Sequence, residues 1–201
     1  MQFLLNTAYF PSLAWFACIA QGECTVDLAG NFQKQSFRNR TNILSSQGVL
    51  GLTVPVVHAG KVTISAVEIS YRENWQRQHI RSIETAYRNS PFFEYYWPEL
   101  LPILTQKQSL LAQLNELIIN KLCQMCSLNS PSATTSWSDV PVNMSDMRER
   151  IHPKRSTHFQ IEPYVQVFDI TTTTDRLSLL DLLFAKGPDC RAFLSNCIQI
   201  V

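Results

Sequence analysis

The sequence predicts a single domain of mixed α/β (α+β) class, in which helices flank a partly antiparallel sheet. Three observations support this prediction. The chain has 201 residues, of which 45% are hydrophobic and 16% charged, a composition that can bury one sizeable core. Two consecutive runs, 49–57 and 62–70, are rich in β-branched and apolar residues. Two later stretches, 75–96 and 99–128, place apolar residues at helical spacing.

The elements before residue 49 are predicted from short apolar runs. Residues 2–7 are expected to form a buried strand, and residues 12–20 a helix that begins near Pro11, because proline is favoured at the first helical position. Residues 36–44 are predicted to form another strand, with Arg38 and Arg40 on one face. Charges in such a strand are also typical of an exposed sheet edge that resists aggregation.

The two β-branched runs are expected to pair with each other. Residues 49–57 and 62–70 are separated by a short turn at 58–61, which predicts an antiparallel hairpin. Pro55 indicates an edge or bulge position for the first run. A later apolar run, 164–168, is predicted to add a further strand, but the sequence does not specify the strand order.

The predicted helix that begins at Trp75 has two different faces. At helical spacing one side carries apolar and aromatic residues, namely Trp75, His79, Ile83, Ala86 and Tyr87. Another side carries charges, namely Arg77, Arg81, Glu84 and Arg88. Ser90 and Pro91 are expected to end this helix and open an aromatic one, which Pro98 terminates.

One long helix is predicted at about residues 99–128, because leucines recur along a single stripe. Residues 129–145 are rich in Ser, Thr and Pro and are predicted to be a flexible loop within the domain. Two short helices, 179–185 and 189–197, are expected to complete the chain, with Gly187 and Pro188 between them.

Charge and composition exclude several classes of protein. The net charge of +1 argues against nucleic acid as a partner, although residues 31–90 hold eight basic and three acidic residues. The N-terminal apolar run lacks the cationic start of a signal peptide, and no run reaches the ~18 apolar residues of a membrane span. We therefore expect a cytoplasmic protein whose six cysteines are reduced thiols. Cys123 and Cys126 form a CxxC pair without a second pair, so we expect neither a metal site nor a cofactor.

Side chains, chiefly Arg, are expected to hold any anionic ligand, because six glycines are too few for a cradle of backbone amides. The predicted substrate-binding residues are Gln33, Lys34, Arg38, Asn39, Arg40, Trp75, Gln76, Arg77, Arg81, Tyr87 and Lys154. The predicted general acid and base are His79 and Glu84, whose pKa values neighbouring arginines could tune.

Each of these roles has a structural alternative. The arginines that follow Trp75 are also typical of a solvated helix face, because most runs of charge on a helix serve solubility. His79 falls on the aromatic side, where a histidine hydrogen-bonded to backbone is common in a core. Glu84 lies three residues after Arg81 and four before Arg88, so it could simply bridge the two guanidinium groups.

Several stretches of the chain carry a resemblance to a known family. They are NFQKQSFRNR (31–40), WQRQHIRSIETAYRNSPFFEYY (75–96), IHPKR (151–155), YVQVF (164–168) and LSLLDLLFAKGP (177–188). Together with the opening TAYFP (7–11), this combination resembles the WbqC-like family of bacterial proteins. One departure is Ala185-Lys186, where the family pattern has Asn before an acidic residue. The resemblance implies a role in the biosynthesis of cell-surface polysaccharide of the O-antigen type, and it implies no particular catalytic residue.

The leading hypothesis is a small transferase that moves an acyl or aminoacyl group onto an anionic, activated sugar precursor. Its expected ligands are a nucleotide sugar and an amino acid or acyl donor. The alternative is a module that binds a nucleotide sugar or assembles a complex without turnover. Both hypotheses require that cations distant in the sequence converge on one anion, and the sequence leaves the oligomeric state open.

Overall fold

The computed structural model describes residues 1–57, 61–136, 143–154, 159–168 and 174–199. Its helices are α1 (Leu13–Gln21), α2 (Trp75–Tyr87), α3 (Phe93–Thr105), α4 (Leu111–Met125), α5 (Leu179–Lys186) and α6 (Cys190–Ser195). Its strands are β1 (Gln2–Asn6), β2 (Glu23–Asp27), β3 (Arg40–Ser45), β4 (Gly48–Thr53), β5 (Ser132–Thr134), β6 (Ser145–Asp146), β7 (Phe159–Gln160) and β8 (Ile198–Gln199). The mixed α/β class predicted from the sequence is confirmed.

A four-stranded parallel sheet, in the order β5-β2-β1-β6, lies at the centre of the fold. β1 and β2 pair from Gln2↔Glu23 to Asn6↔Asp27, and α1 connects them. The Ser12 side chain caps α1 by accepting a hydrogen bond from the Trp15 amide. Residues 13–19 of α1 are all buried, so this helix lies inside the core rather than on the surface.

The antiparallel hairpin is not the one predicted. β3 pairs with β4 from Arg40↔Thr53 to Ser45↔Gly48. The short turn before Gly48, whose φ of 102° suits glycine, makes this local pairing favourable. The predicted partner, 62–70, forms a short 3₁₀ helix at Ile64–Ala66. Its predicted antiparallel pairing with 49–57 is present as one bridge, Val56↔Ile69, with hydrogen bonds from the Val57 amide to the Glu68 carbonyl and from the Ser70 amide to the Pro55 carbonyl. Its apolar alternation reflects burial of an irregular segment, and the predicted turn residues 58–60 lie outside the described residues.

The single long helix predicted at about 99–128 is also wrong. α3 ends at Thr105 and α4 begins at Leu111. The segment between them is held by pairing with the chain at residues 67–69, since the Leu111 amide donates to the Val67 carbonyl and the Ile69 amide to the Ser109 carbonyl. Long-range hydrogen bonding therefore overrides the helical periodicity.

α3 passes through Pro98, where the sequence predicts a helix end, and through Pro102 as well. Each proline removes one backbone hydrogen bond. The helix persists because Trp97, Leu100 and Leu104 are buried along one face, and this apolar burial stabilises it.

Two further predictions do not match the structure. Residues 129–145, predicted to be a loop, contribute β5 and β6, the two edge strands of the parallel sheet. Residues 164–168, predicted to be a strand, are irregular. β5 and β6 are short and polar, so only their pairing with β2 and β1 reveals them. The strand predicted at 2–7 matches β1. The strand predicted at 36–44 corresponds to β3, which begins at Arg40 rather than at residue 36, because residues 34–39 form turns and bends.

The α2 face predicted to be apolar is the face that is buried. Its buried residues are Trp75, His79, Ile83, Ala86 and Tyr87. α2 packs on β3 and α3, and α1 packs on α5 and α6. These contacts build one continuous hydrophobic core.

Candidate functional site

Polar side chains gather where three strands of the parallel sheet end. Asn6 ends β1, Asp27 ends β2 and Asp146 ends β6. In sheets of parallel strands, ligands bind beside these carboxyl ends. We therefore take this edge as the candidate site and call it the carboxyl-edge site.

Arg38 is the centre of the carboxyl-edge site. Its guanidinium donates from Nη2 to Asn6 Oδ1 (2.7 Å) and from Nη1 to Gln33 Oε1 (3.2 Å). The residue is only 6% exposed. Burial lowers the Arg38 pKa, while the Glu149 and Asp27 carboxylates raise it. An arginine stays charged in a protein, and the groups to which the Arg38 guanidinium donates are neutral amides, so no ion pair among the described residues neutralises it.

A second arginine ties the strand ends together. Arg148 donates from Nη1 to Asp27 Oδ2 (2.9 Å) and holds Asp146 through Nε and Nη2 at 3.0 and 2.7 Å. The hydrogen bond from Arg148 lowers the pKa of Asp146. Asn6 Nδ2 donates to the Arg148 carbonyl (2.7 Å). Two carboxylates thus neutralise Arg148, whose role is to fix β1, β2 and β6 relative to one another.

The segment that follows β6 completes the carboxyl-edge site. Lys154 Nζ donates to Gln35 Oε1, and Gln33 Nε2 donates to Glu149 Oε1 (3.4 Å). His152 Nδ1 accepts from the Lys154 amide (3.2 Å). Two loops more than a hundred residues apart in sequence, 31–39 and 149–154, therefore meet here.

The hollow between these loops is small. His152, Arg38, Trp15 and Met147 are among its lining residues, and its free volume is about 10 Å³, which is room for one water molecule. A larger ligand would contact the outer rim. The exposed side chains of that rim are Gln33, Lys34, Gln35 and Lys154.

The structure brings three of the predicted binding residues to this edge, Gln33, Arg38 and Lys154. Lys34 is exposed between Gln33 and Gln35 in the same loop. Others lie on the β3–β4 hairpin. Asn39 is buried and donates from Nδ2 to the Val54 carbonyl (2.9 Å). The Arg40 guanidinium lies across Gly51, where any Cβ would collide with it.

The predicted binding residues on α2 serve mainly to join elements. Gln76 Nε2 donates to the Leu104 and Gln106 carbonyls at 2.6 and 3.0 Å. The Tyr87 hydroxyl accepts from the Leu44 amide (3.0 Å). Trp75 is buried edge-on against Tyr9. Arg77 and Arg81 are exposed on the outside of the helix.

The two residues predicted to act as acid and base lie in different surroundings. His79 is 4% exposed, and its Nδ1 is 2.9 Å from the Tyr9 hydroxyl. Burial lowers the His79 pKa to about 4, against an opposing effect of the Thr53 backbone. Glu84 accepts from Trp97 Nε1 (3.1 Å), and no ion pair among the described residues includes it. The alternative in which Glu84 bridges Arg81 and Arg88 is therefore wrong.

Sequence reasoning missed most of the carboxyl-edge site. The missed residues are Asn6, Asp27, Gln35, Asp146, Arg148, Glu149 and His152. The available signal was a polar residue directly after each strand. This signal could not be used from the sequence alone, because it requires knowing that β6 is a strand. β6 has only two residues and no apolar pattern.

All six cysteines are free and buried, as expected for reduced thiols. Burial raises the pKa of Cys24 and of Cys123 to about 12. In the part of the chain that the structure describes, no group of three His, Cys, Asp or Glu is arranged to hold a metal ion. None of the helices described there has both the length and the apolar composition needed to cross a bilayer.

Comparison with known proteins gives one family. The model of the WbqC-like protein family matches residues 7–153. The chain is also 25% identical to the uncharacterized protein Rv1507c of Mycobacterium tuberculosis, over 98% of each chain. No solved structure matches the chain. The matched range includes both loops that form the carboxyl-edge site, up to Pro153.

Proposed function

The chain belongs to the WbqC-like protein family, and from this premise we propose that it acts in the biosynthesis of a cell-surface polysaccharide of the O-antigen type. In this proposal it is a small cytoplasmic transferase that places an acyl or aminoacyl group on an anionic, activated sugar precursor. The family resemblance supports the proposed polysaccharide role. The anionic ligand follows from the carboxyl-edge site.

One observation carries the proposal: parts of two stretches of the family resemblance, 31–40 and 151–154, meet around one buried guanidinium. Arg38 has neutral amide partners, so it can attract a phosphate or carboxylate. Lys34 and Lys154 add two ammonium groups at the rim. Gln33 and Gln35 supply amides that can bind sugar hydroxyls.

The site also contains a group able to assist acyl transfer. When an acceptor hydroxyl or amine attacks the acyl carbon, the leaving group departs and must gain a proton. His152 Nδ1 accepts a hydrogen bond from the Lys154 amide, so in the neutral ring Nε2 carries the proton. We assign His152 the role of hydrogen-bond donor: Nε2–H stabilises the oxyanion that forms when the acceptor attacks, and the proton that the acceptor loses is the one that the leaving group gains. His79 lies in the core, so a role as general base requires it to become accessible.

The test is calorimetric titration of the full chain with a panel of nucleotide sugars, first without and then with an acyl or aminoacyl donor. The double variant K34Q/K154Q should bind the preferred nucleotide sugar about tenfold more weakly, because two charge-assisted contacts are lost. K61Q, which changes an exposed lysine outside the site, should bind as the wild type does. Equal affinity in both variants, or no binding by any nucleotide sugar, would contradict the proposal.

A second function, binding without turnover, is favoured by the volume of about 10 Å³ left inside the hollow. The two functions differ in product. Incubation of the chain with a bound nucleotide sugar and an acyl donor should yield a sugar whose mass has increased by one acyl group. Binding with no such mass increase would identify a nucleotide-sugar-binding module.

A further inference from the structure

A groove separate from the carboxyl-edge site lies between the tip of the β3–β4 hairpin and the outer face of α2. Its volume is about 240 Å³. The polar and aromatic groups that line it are Arg81, Ser45, Ser46, Ser82, Thr85 and Phe168. We call it the hairpin groove.

The charged side chain among the described lining residues of the hairpin groove is basic. Among the described residues that line the groove are one guanidinium and four hydroxyls, and none of these described residues is acidic. Ser45 donates to the Gly48 carbonyl (2.7 Å) within the hairpin turn. Arg81 forms none of the ion pairs found among the described residues, so its charge is not already neutralised. Such a lining favours a small anion that also carries hydroxyl groups.

One hydrogen-bond network fixes the walls of the groove. Asp181, 3% exposed, accepts from the Tyr164 hydroxyl and from Gln166 Nε2, each at 2.6 Å. The Tyr87 hydroxyl also bonds Asp181 and accepts from the Leu44 amide.

Three residues of this network lie within two positions in sequence of a residue that lines the groove. Leu44 precedes Ser45, Tyr87 follows the last α2 residue of the groove, and Gln166 lies two residues before Phe168. This partly buried network joins residues adjacent in sequence to three walls, so we expect it to hold the groove in shape before any ligand arrives and to lower the entropic cost of binding.

We propose that the hairpin groove binds a phosphorylated monosaccharide. Arg81 contacts the phosphate, the hydroxyls of Ser46, Ser82 and Thr85 contact those of the sugar, and the ring packs against Phe168. A volume of 240 Å³ lies below the range of about 300–1,000 Å³ typical of pockets for larger ligands. The groove is therefore too small for a nucleotide sugar. This site stands independently of the function proposed for the carboxyl-edge site.

The experiment is calorimetric titration of the full chain with glucose 6-phosphate, glucose and inorganic phosphate. Glucose 6-phosphate should bind more tightly than either of the other two. R81Q should weaken its binding about tenfold, because a charge-assisted hydrogen bond is lost. The matched control is R88Q, which removes an exposed arginine near the end of the same helix that does not line the groove.

A second variant separates the aromatic contact from the charge. F168A should weaken the binding of glucose 6-phosphate and leave that of inorganic phosphate unchanged. K154Q should alter neither, because it changes only the carboxyl-edge site. No saturable binding of glucose 6-phosphate, equal losses in R81Q and R88Q, or glucose binding as tightly as its phosphate would overturn the inference.

Discussion

Burial has different effects on the charge of two basic side chains in this protein. Arg38 and His79 are 6% and 4% exposed, and burial lowers the pKa of both. Guanidinium is so basic that it stays charged, whereas imidazole titrates near neutrality and becomes neutral. Arg38 can therefore attract an anion, and His79 acts as a polar part of the core.

The neutral state of His79 predicts a pH dependence of stability. The pKa is about 4 in the folded chain against about 6.5 when unfolded, so between these values only the unfolded chain takes up the proton. The free energy of unfolding should fall by about 3 kcal/mol as the pH drops from about 6.5 to 4. H79N should lose this dependence, because Asn Oδ1 can accept from Tyr9 but does not titrate.

Urea unfolding of both proteins at several pH values between 4 and 7 measures this difference. Each curve also contains the titration of carboxylates, which is common to the two proteins. The gap between them should therefore change with pH. Parallel curves would show that the pKa of His79 is the same in the folded and the unfolded chain, contrary to the expected effect of burial.

At the scale of elements, the local sequence pattern was sufficient to predict α2 but not the break between α3 and α4. The periodicity of α2 predicts both its existence and its buried face, because Trp75, Ile83 and Tyr87 meet the core at helical spacing. The break between α3 and α4 was missed. It depends on hydrogen bonds to residues 67 and 69, about forty residues away, and no local pattern encodes such pairing.

Gln76 links α2 to the end of α3, and its loss should be measurable. Q76A removes hydrogen bonds to the carbonyls of Leu104 and Gln106 and should lower the free energy of unfolding by about 1–2 kcal/mol. The matched control is Q78A, an exposed glutamine of the same helix, which should change it by less than about 0.5 kcal/mol. Chemical denaturation gives both values. Equal effects would mean that Gln76 does not stabilise the end of α3.

For the whole molecule, the sequence predicted the fold class but not the sheet. The apolar residues of β3 and β4 predict these strands. In contrast, β5 and β6 are polar and become strands only by pairing with β2 and β1. The same limit applies to the candidate site. Arg38 and Lys154 could be chosen by residue type, but Asn6 and Arg148 could be recognised only from the parallel order of the strands.

The burial of all six thiols predicts how the whole chain reacts with an alkylating reagent. Only the thiolate reacts, and burial raises the pKa of Cys24 and Cys123 to about 12 and of Cys197 to about 11. Native protein should therefore react slowly with iodoacetamide, and unfolded protein should take up six labels. Mass spectrometry at increasing urea should show labelling in step with unfolding measured by circular dichroism. Rapid labelling of one cysteine in the native state would indicate local opening there.

The origin of the sheet edges has a consequence for synthesis on the ribosome. The two central strands are complete at Asp27, whereas their outer neighbours begin at Ser132 and Ser145, more than a hundred residues later. A nascent chain therefore carries a strand pair with both flanks unpaired through much of its translation. Unpaired flanks can recruit strands from other nascent chains. We expect a chaperone that covers strand edges to protect the chain most during this interval.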